Sequence, residues 1–206
     1  MTHNHAKTDN PTILSLARSL AIQLFLFLAI FTVAISPANQ AKAQASQYYT
    51  AQEVIDAGHN FFGKTSGALA AAFERTFSKY GLPNGYILGE DAGGAFIGGL
   101  RYGEGMLYTK NAGDHKVFWQ GPSIGWDYGI DGNRTMMLVY NLPDIPNLYR
   151  RYFGVSGSAF IVGGVGVTAL ANSGVYLIPI RTGVGARLGI NIGYLKLRER
   201  PTQNPF

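Results

Sequence analysis

The stretch that decides the fold is residues 92–140, AGGAFIGGLRYGEGMLYTKNAGDHKVFWQGPSIGWDYGIDGNRTMMLVY, in which short aromatic and β-branched runs alternate with glycine. Turn-forming residues at 111–114 and 131–133, and a break at 121–123, divide it into strands at about 95–100, 102–110, 116–120 and 135–140. Glycine inside a strand usually marks a bulge, a tight bend or a close approach of backbone or ligand. The stretch therefore predicts a strongly curved sheet, and such curvature favours a barrel.

Strand-forming runs continue on both sides, at residues 85–89, 159–171, 175–181 and 186–198, with turn sequences at 172–174 and 181–183. The longest crossover runs from 140 to 158, where Asp144 predicts the start of a short helix through Tyr152. The total of about eight strands predicts a mainly β fold, a small antiparallel β-barrel with an N-terminal helical segment. A two-sheet β-sandwich fits the same spacing and stays open as the alternative.

The helical segment spans residues 50 to 80. Thr50 and Glu53 have the spacing of a capping box, which predicts a short helix to about Gly58. Residues 66–80 place apolar side chains on one face, and Gly81 is a natural C-terminal stop. An isolated helix of this length is marginal in water, so we expect it to pack across the sheet or plug one end of it.

The N-terminus predicts export. Polar residues precede an apolar run at 21–35, and Ala41-Lys42-Ala43 forms a small-x-small cleavage site. An uncleaved anchor is the alternative, but the run is about fifteen residues and a spanning helix needs roughly twenty. We therefore expect a signal peptide at 1–43, a single domain at 44–198, a tail at 199–206, and no transmembrane span after cleavage.

Composition excludes several classes of site. The 206-residue chain has a net charge of +5 with scattered cations, so nucleic-acid binding is not expected. It has no cysteine, which removes disulfides and thiolate metal ligands. His59 and His115 are the only histidines after the signal and are far apart, so neither a metal site nor a cofactor is predicted.

Acidic residues at turns and strand ends offer one catalytic alternative. Two of them together could act as acid and base on a glycan, as in glycoside hydrolysis. The simpler interpretation is that they cap backbone N–H groups in turns, so no catalytic residue is predicted. The acids concerned are Glu90, Asp91, Glu104, Asp127 and Asp131.

Aromatic and basic residues give the candidate binding site. Aromatic rings stack on sugars and sit at lipid interfaces, although the same rings could simply fill the barrel. The close arginine pair could serve an anionic head group. The predicted ligand-binding residues are Tyr102, Tyr108, Trp119, Trp126, Tyr128, Arg150 and Arg151.

Residues 49–197 resemble the EipA-like envelope integrity proteins of Gram-negative bacteria. The resemblance lies in the runs GYILGEDAGGAFIGGLRYGEGMLYTKNAG, GPSIGWDYGIDG and SGVYLIPIRTGVGARLGINIGYLKL. It implies a small periplasmic β-barrel needed for envelope integrity, with no established enzymatic activity and no catalytic residues to transfer.

A weaker similarity is to SYLF lipid-binding domains. It rests on Gly98-Gly99, the tyrosine-glycine-x-glycine motif at residues 102–105 and the serine-x-glycine-tryptophan turn at 123–126. That similarity implies affinity for lipid head groups or membranes. We therefore expect a non-enzymatic periplasmic protein that binds an envelope component, a lipid or glycan, or a protein partner. A SYLF-like lipid- or glycan-binding module and a cell-wall hydrolase with paired carboxylates are the alternatives.

Overall fold

The computed structural model describes residues 47–63, 66–92, 100–122, 133–182 and 193–202, which form two helices followed by one antiparallel sheet. The helices are α1 (Ala51–Phe62) and α2 (Gly67–Tyr80). The strands are β1 (Gly85–Ala92), β2 (Leu100–Thr109), β3 (Gly113–Pro122), β4 (Asn133–Tyr140), β5 (Arg151–Gly154), β6 (Phe160–Val162), β7 (Val165–Val167), β8 (Leu170–Asn172), β9 (Val175–Thr182) and β10 (Tyr194–Arg198).

Eight of these strands close a barrel in the order β4, β1, β2, β3, β10, β5, β8, β9. Closure comes from the pairing of β9 with β4, and all the neighbouring strands are antiparallel. Strand β7 pairs with the last three residues of β9, beyond the part of β9 that pairs with β8. Strand β6 forms a hairpin with β7. The predicted antiparallel β-barrel with an N-terminal helical segment is therefore confirmed, and the sandwich does not form.

The predicted single strand at residues 159–171 is instead three short strands. Gly163 and Gly164 both have positive φ, 52° and 83°, and make the two-residue turn between β6 and β7. The second break lies opposite Pro179 of β9, whose carbonyl accepts a hydrogen bond from the Thr168 N–H at 3.3 Å. Because proline has no backbone N–H, Pro179 cannot donate a hydrogen bond back to this segment. The ladder is therefore interrupted between β7 and β8.

The predicted helix from Asp144 to Tyr152 was wrong in its extent. Asp144 does cap a helix, accepting a hydrogen bond from the Asn147 N–H at 3.0 Å, but this 3-10 helix covers only Ile145–Leu148. The chain then enters β5, which fills the position between β10 and β8 in the barrel. Pairing on both edges outweighs a local helix signal of this length.

The helices begin as predicted, and α1 is longer than expected. The Thr50 N–H donates to Oε2 of Glu53 at 2.8 Å and the Glu53 N–H donates to Oγ1 of Thr50 at 3.3 Å, which completes the capping box. The helix continues past Gly58 to Phe62 because Gly58 lies against α2. A Cβ atom there would be 2.5 Å from Cζ of Phe73.

The structure has two hydrophobic cores, one on each side of the barrel wall. The inner core fills the barrel interior, and the outer core lies between the helices and the outer surface of the sheet. Strand β4 contributes to both: Met137 and Val139 point inward, and Met136 and Leu138 point outward. The helices therefore pack across the barrel rather than plug one end.

Strand glycines make room for Trp119 inside the barrel. Its indole lies across Gly89 of β1 and Gly103 of β2, and its exposed fraction is 2%. A Cβ atom at Gly103 would overlap the indole ring, and one at Gly89 would lie 2.6 Å from Cη2. Of the roles that a strand glycine can have, close approach applies at these two positions, and the approaching group is a side chain of the same protein.

We expect Gly103→Ala to lower the free energy of unfolding by about 1–3 kcal/mol, the usual effect of inserting a methyl group into a packed core. The matched control is Gly67→Ala at the start of α2, where an added Cβ meets nothing within 4 Å. That change should be neutral or stabilising by up to about 1 kcal/mol. Urea unfolding followed by circular dichroism measures both, and equal effects would contradict the packing of Trp119 against Gly103.

The contact between Glu53 and Lys110 of the β2–β3 turn ties α1 to the barrel. The Lys110 hydrogen bond is the first cause, and the Thr50 bonds the second, of a Glu53 pKa lowered from 4.5 to about 2. A lowered folded pKa means that this contribution is present above pH 4.5 and is lost as the pH falls towards 2.

We therefore expect the wild-type chain to be more stable than Glu53→Gln at neutral pH, by less than about 1 kcal/mol because the pair is exposed. This difference should shrink between pH 4.5 and pH 2. Urea unfolding at a series of pH values measures it. A difference that stays constant across this range would show that the charge of Glu53 is not involved.

Candidate functional site

The end of the barrel where β1 stops contains a buried charged cluster around Asp91, one of the acids considered for catalysis. The Trp119 indole donates to Oδ1 of Asp91 at 2.6 Å, and Oγ1 of Thr135 and Nη2 of Arg181 donate to Oδ2 at 3.0 and 2.8 Å. Nε of Arg101 lies 3.4 Å from Oδ1. Both carboxylate oxygens are thus held in hydrogen bonds or ion pairs.

This arrangement suits a structural anchor better than a catalytic group. A buried carboxylate must be paired to remain charged, and here two guanidinium groups and two neutral donors surround it. A general acid or base needs an oxygen directed at a substrate. Asp91 is 6% exposed and directs both of its oxygens to the protein.

Two other acids considered for catalysis are brought together on the outer surface. Glu90 of β1 and Glu104 of β2 are aligned across the strand pair. Each has its own cation: Arg134 lies 3.7 Å from Glu90, and Lys116 lies 3.3 Å from Glu104. Their side chains are 60% and 59% exposed, whereas a general acid is normally raised in pKa by burial. Asp127 and Asp131 lie outside the described residues.

The predicted aromatic residues do not share one surface. Trp119 lies inside the barrel, and Tyr102 and Tyr108 lie on the outer side of β2. Tyr108 stacks on Tyr86 with centroids 5.1 Å apart, and Tyr102 borders a groove of about 190 Å³ beside Phe118. Trp126 and Tyr128 lie outside the described residues, so their part in a binding site stays a prediction.

The two predicted arginines are adjacent in the chain, and Arg150 immediately precedes β5. Arg151 begins β5 and alternates with the fully buried Tyr152, so it lies on the outer face of the barrel. The carbonyl of Arg150 accepts a hydrogen bond from Leu197, which is an inward-facing residue of β10. Burial raises the pKa of Tyr152 to about 12, and the charge of Arg150 opposes that rise.

Arg151 belongs to a group that the sequence did not reveal. The outer sides of β3, β10 and β5 form one surface, because Arg198 is aligned with Phe118, Lys196 with Arg151, and Tyr194 with Phe153. Inward-facing leucines at 195 and 197 fix the direction of the β10 side chains. We call this surface the basic-aromatic face, and its residues are Lys116, Phe118, Arg151, Phe153, Tyr194, Lys196 and Arg198.

Rings and cations on this face contact one another. The Arg151 guanidinium lies 4.8 Å from the centroid of Tyr194, and the Lys116 ammonium lies 5.3 Å from that of Phe118. The pKa of Lys196 is lowered first by desolvation and then by the positive charges of Arg198 and Arg151. The cations are therefore close enough to repel one another, which favours an anionic ligand.

Within the described parts of the chain, no group of histidine and acidic residues is arranged to hold a metal ion. No helix in those parts is long and apolar enough to cross a membrane. The barrel interior there is filled by side chains of the inner core.

We expect Asp91→Asn to lower the free energy of unfolding by roughly 3 kcal/mol or more, because Arg101 and Arg181 would lose their buried countercharge. The neighbouring change Glu90→Gln is the control. It removes an exposed carboxylate and should cost less than about 1 kcal/mol. Thermal and urea unfolding measure both variants, and a stable Asp91→Asn protein would contradict the anchoring role.

Comparison with known proteins agrees with this fold. The crystal structure of a beta-barrel-like, uncharacterized protein from Brucella abortus is 66% identical in sequence, with a TM-score of 0.74 over 78% of this chain and 99% of that chain. No curated protein sequence gives a significant match. The family model described as envelope integrity protein A matches residues 47–206. Since that match covers most of the sequence, the chain belongs to the envelope integrity protein A (EipA) family.

Proposed function

We propose that the chain acts in the periplasm, without catalysis, by binding an anionic envelope component at the basic-aromatic face. Membership of the EipA family implies a role in envelope integrity. Export is expected from the apolar run at residues 21–35 and the cleavage site that follows it. The observation that supports binding is the alignment of Arg151, Lys196 and Arg198 beside aromatic rings on one outer surface.

The contacts on this face favour binding because they hold the cations in place before a ligand arrives. Arg151 rests on the ring of Tyr194, and Lys116 rests on that of Phe118. A side chain already ordered by such a contact loses less conformational entropy when it meets an anion. Lys196 lies on β10, whose backbone is fixed by pairing with β3 on one edge and β5 on the other.

Catalysis is less well supported by the described residues. A hydrolase needs a cleft with at least one desolvated carboxyl group. The aligned acids, Glu90 and Glu104, are exposed and paired with cations, and Asp91 is enclosed. A SYLF-like module stays a prediction, because the turn at 123–126 on which that similarity rests lies outside the described residues.

The proposal is tested by complementation in a strain that lacks this gene and is sensitive to detergent. We expect the full-length gene carrying Arg151→Glu and Lys196→Glu to accumulate normally and yet leave detergent resistance at least about ten-fold below wild type, since two like charges would repel an anion. Lys79→Glu on α2 is the control for a change of surface charge and should restore resistance fully.

A second variant separates binding from catalysis. Glu90→Gln with Glu104→Gln should complement like the wild type, whereas a hydrolase that uses this pair would lose its function. Full resistance in the Arg151→Glu, Lys196→Glu strain would show that the basic-aromatic face is not the binding surface. Recovery of the protein in the cytoplasmic fraction alone would contradict the periplasmic assignment.

A further inference from the structure

We propose that the occupant of the basic-aromatic face is a membrane surface rich in anionic phospholipid, on which Phe153 and Val155 insert between head groups while Arg151 and Lys196 contact phosphates. This inference rests on the proposed function and specifies its ligand. Three features support a membrane surface as the ligand. They are the exposed apolar residues at one end of the face, the spacing of the cations, and the hydrogen bonds that fix the adjoining turn.

Apolar side chains at the end of β5 are the first observation. Phe153 is 53% exposed and Val155 is 37% exposed, and the intervening and following residues, Gly154, Ser156 and Gly157, are also exposed. Phe153 is aligned with Tyr194, so the exposed ring lies next to a second ring. Aromatic rings alone suit sugars as well as lipids, but an exposed aliphatic side chain such as Val155 offers nothing to a polar glycan.

The turn that presents Val155 is fixed rather than loose. The Val155 N–H donates to the carbonyl of Ala169 at 2.9 Å, and Oγ of Ser158 donates to the carbonyl of Val155 at 2.6 Å. The same Ser158 oxygen accepts a hydrogen bond from the Ala169 N–H at 3.1 Å. An apolar residue held outward by the backbone on both sides needs no further ordering to enter an interface.

The cations have the arrangement that a surface of phosphates requires. Arg151 and Lys196 are aligned on adjacent strands, which lie about 4.8 Å apart in a sheet. Lys116 and Arg198 continue the array along β3 and β10. An array across three strands can contact several head groups at once, whereas a single soluble phosphate would meet only one or two of these cations. Glu104, the acid beside Lys116, lies at the far side of the face on β2.

The test is co-sedimentation of the protein, purified from cells that express the full-length gene, with vesicles of phosphatidylcholine or of phosphatidylcholine containing phosphatidylglycerol. We expect binding to the anionic vesicles, weaker binding to the neutral ones, and a marked loss in high salt. Arg151→Ala with Lys196→Ala should weaken binding about 25-fold, from about five-fold per cation. Phe153→Ser should weaken it at least about five-fold.

A control variant and the following outcomes decide the test. Lys79→Ala removes a cation from the helical side and should bind like the wild type. Circular dichroism should be unchanged in all variants, since the altered side chains lie on the outer surface. Equal binding to neutral and anionic vesicles, absent binding to both, or unchanged binding by the Arg151 and Lys196 variant would overturn the inference. Full displacement from vesicles by millimolar inorganic phosphate at constant ionic strength would identify a free phosphate site instead.

Comparison with complementation separates this inference from the proposed function. Variants that lose detergent resistance but still sediment with vesicles would leave the proposed function standing and overturn the lipid ligand. Variants that lose vesicle binding but complement fully would show that this face binds anionic lipid without serving envelope integrity, which overturns the proposed function. Loss of both together supports the two proposals as stated.

Discussion

The carboxylate of Asp91 is the constraint on which the barrel interior depends. It joins five strands through one group: Arg101 reaches it from β2, Trp119 from β3, Thr135 from β4 and Arg181 from β9, while Asp91 itself lies next to the end of β1. The indole can reach it only because Gly89 and Gly103 leave space on the inner wall. Charge pairing, aromatic packing and glycine placement are therefore a single requirement, and relaxing any one of them disturbs the other two.

The same packing bears on where a ligand could bind. Trp119, Asp91 and the leucines of the inner core occupy the interior of the described part of the barrel. The helices cover part of the outer side of β1, β4 and β9. The proposed recognition surface is the outer side of β3, β10 and β5, where rings and cations meet.

Features set by neighbours in the chain could be predicted from the sequence. The capping box at Thr50, the stop at Gly81 and the turn at Ser173 and Gly174 depend on a few adjacent residues, and the structure confirms them. The strand β5 could not be predicted, because its partners β10 and β8 lie elsewhere in the sequence. The break opposite Pro179 is likewise imposed on one segment by another.

The candidate site also combines features that depend on neighbouring residues with features that depend on distant strands. The choice of Arg151 came from a close pair of arginines, but only Arg151 lies within β5, where strand alternation places it on the outer face. Phe153, Tyr194 and Lys196 were missed because β10 inserts between β3 and β5, out of chain order. A usable signal did exist: Leu195 and Leu197 alternate with polar and aromatic residues, which marks the latter as outward-facing.

The burial of β4 on both of its sides has a consequence for folding during synthesis. The helices α1 and α2 are made first, yet the surfaces that cover their apolar face belong to β4, β7 and β9. The barrel in turn closes only when β10, the last strand, joins β3 and β5. Contacts so distant in sequence form slowly. The newly made chain therefore exposes the apolar face of its helices until β9 has been synthesised.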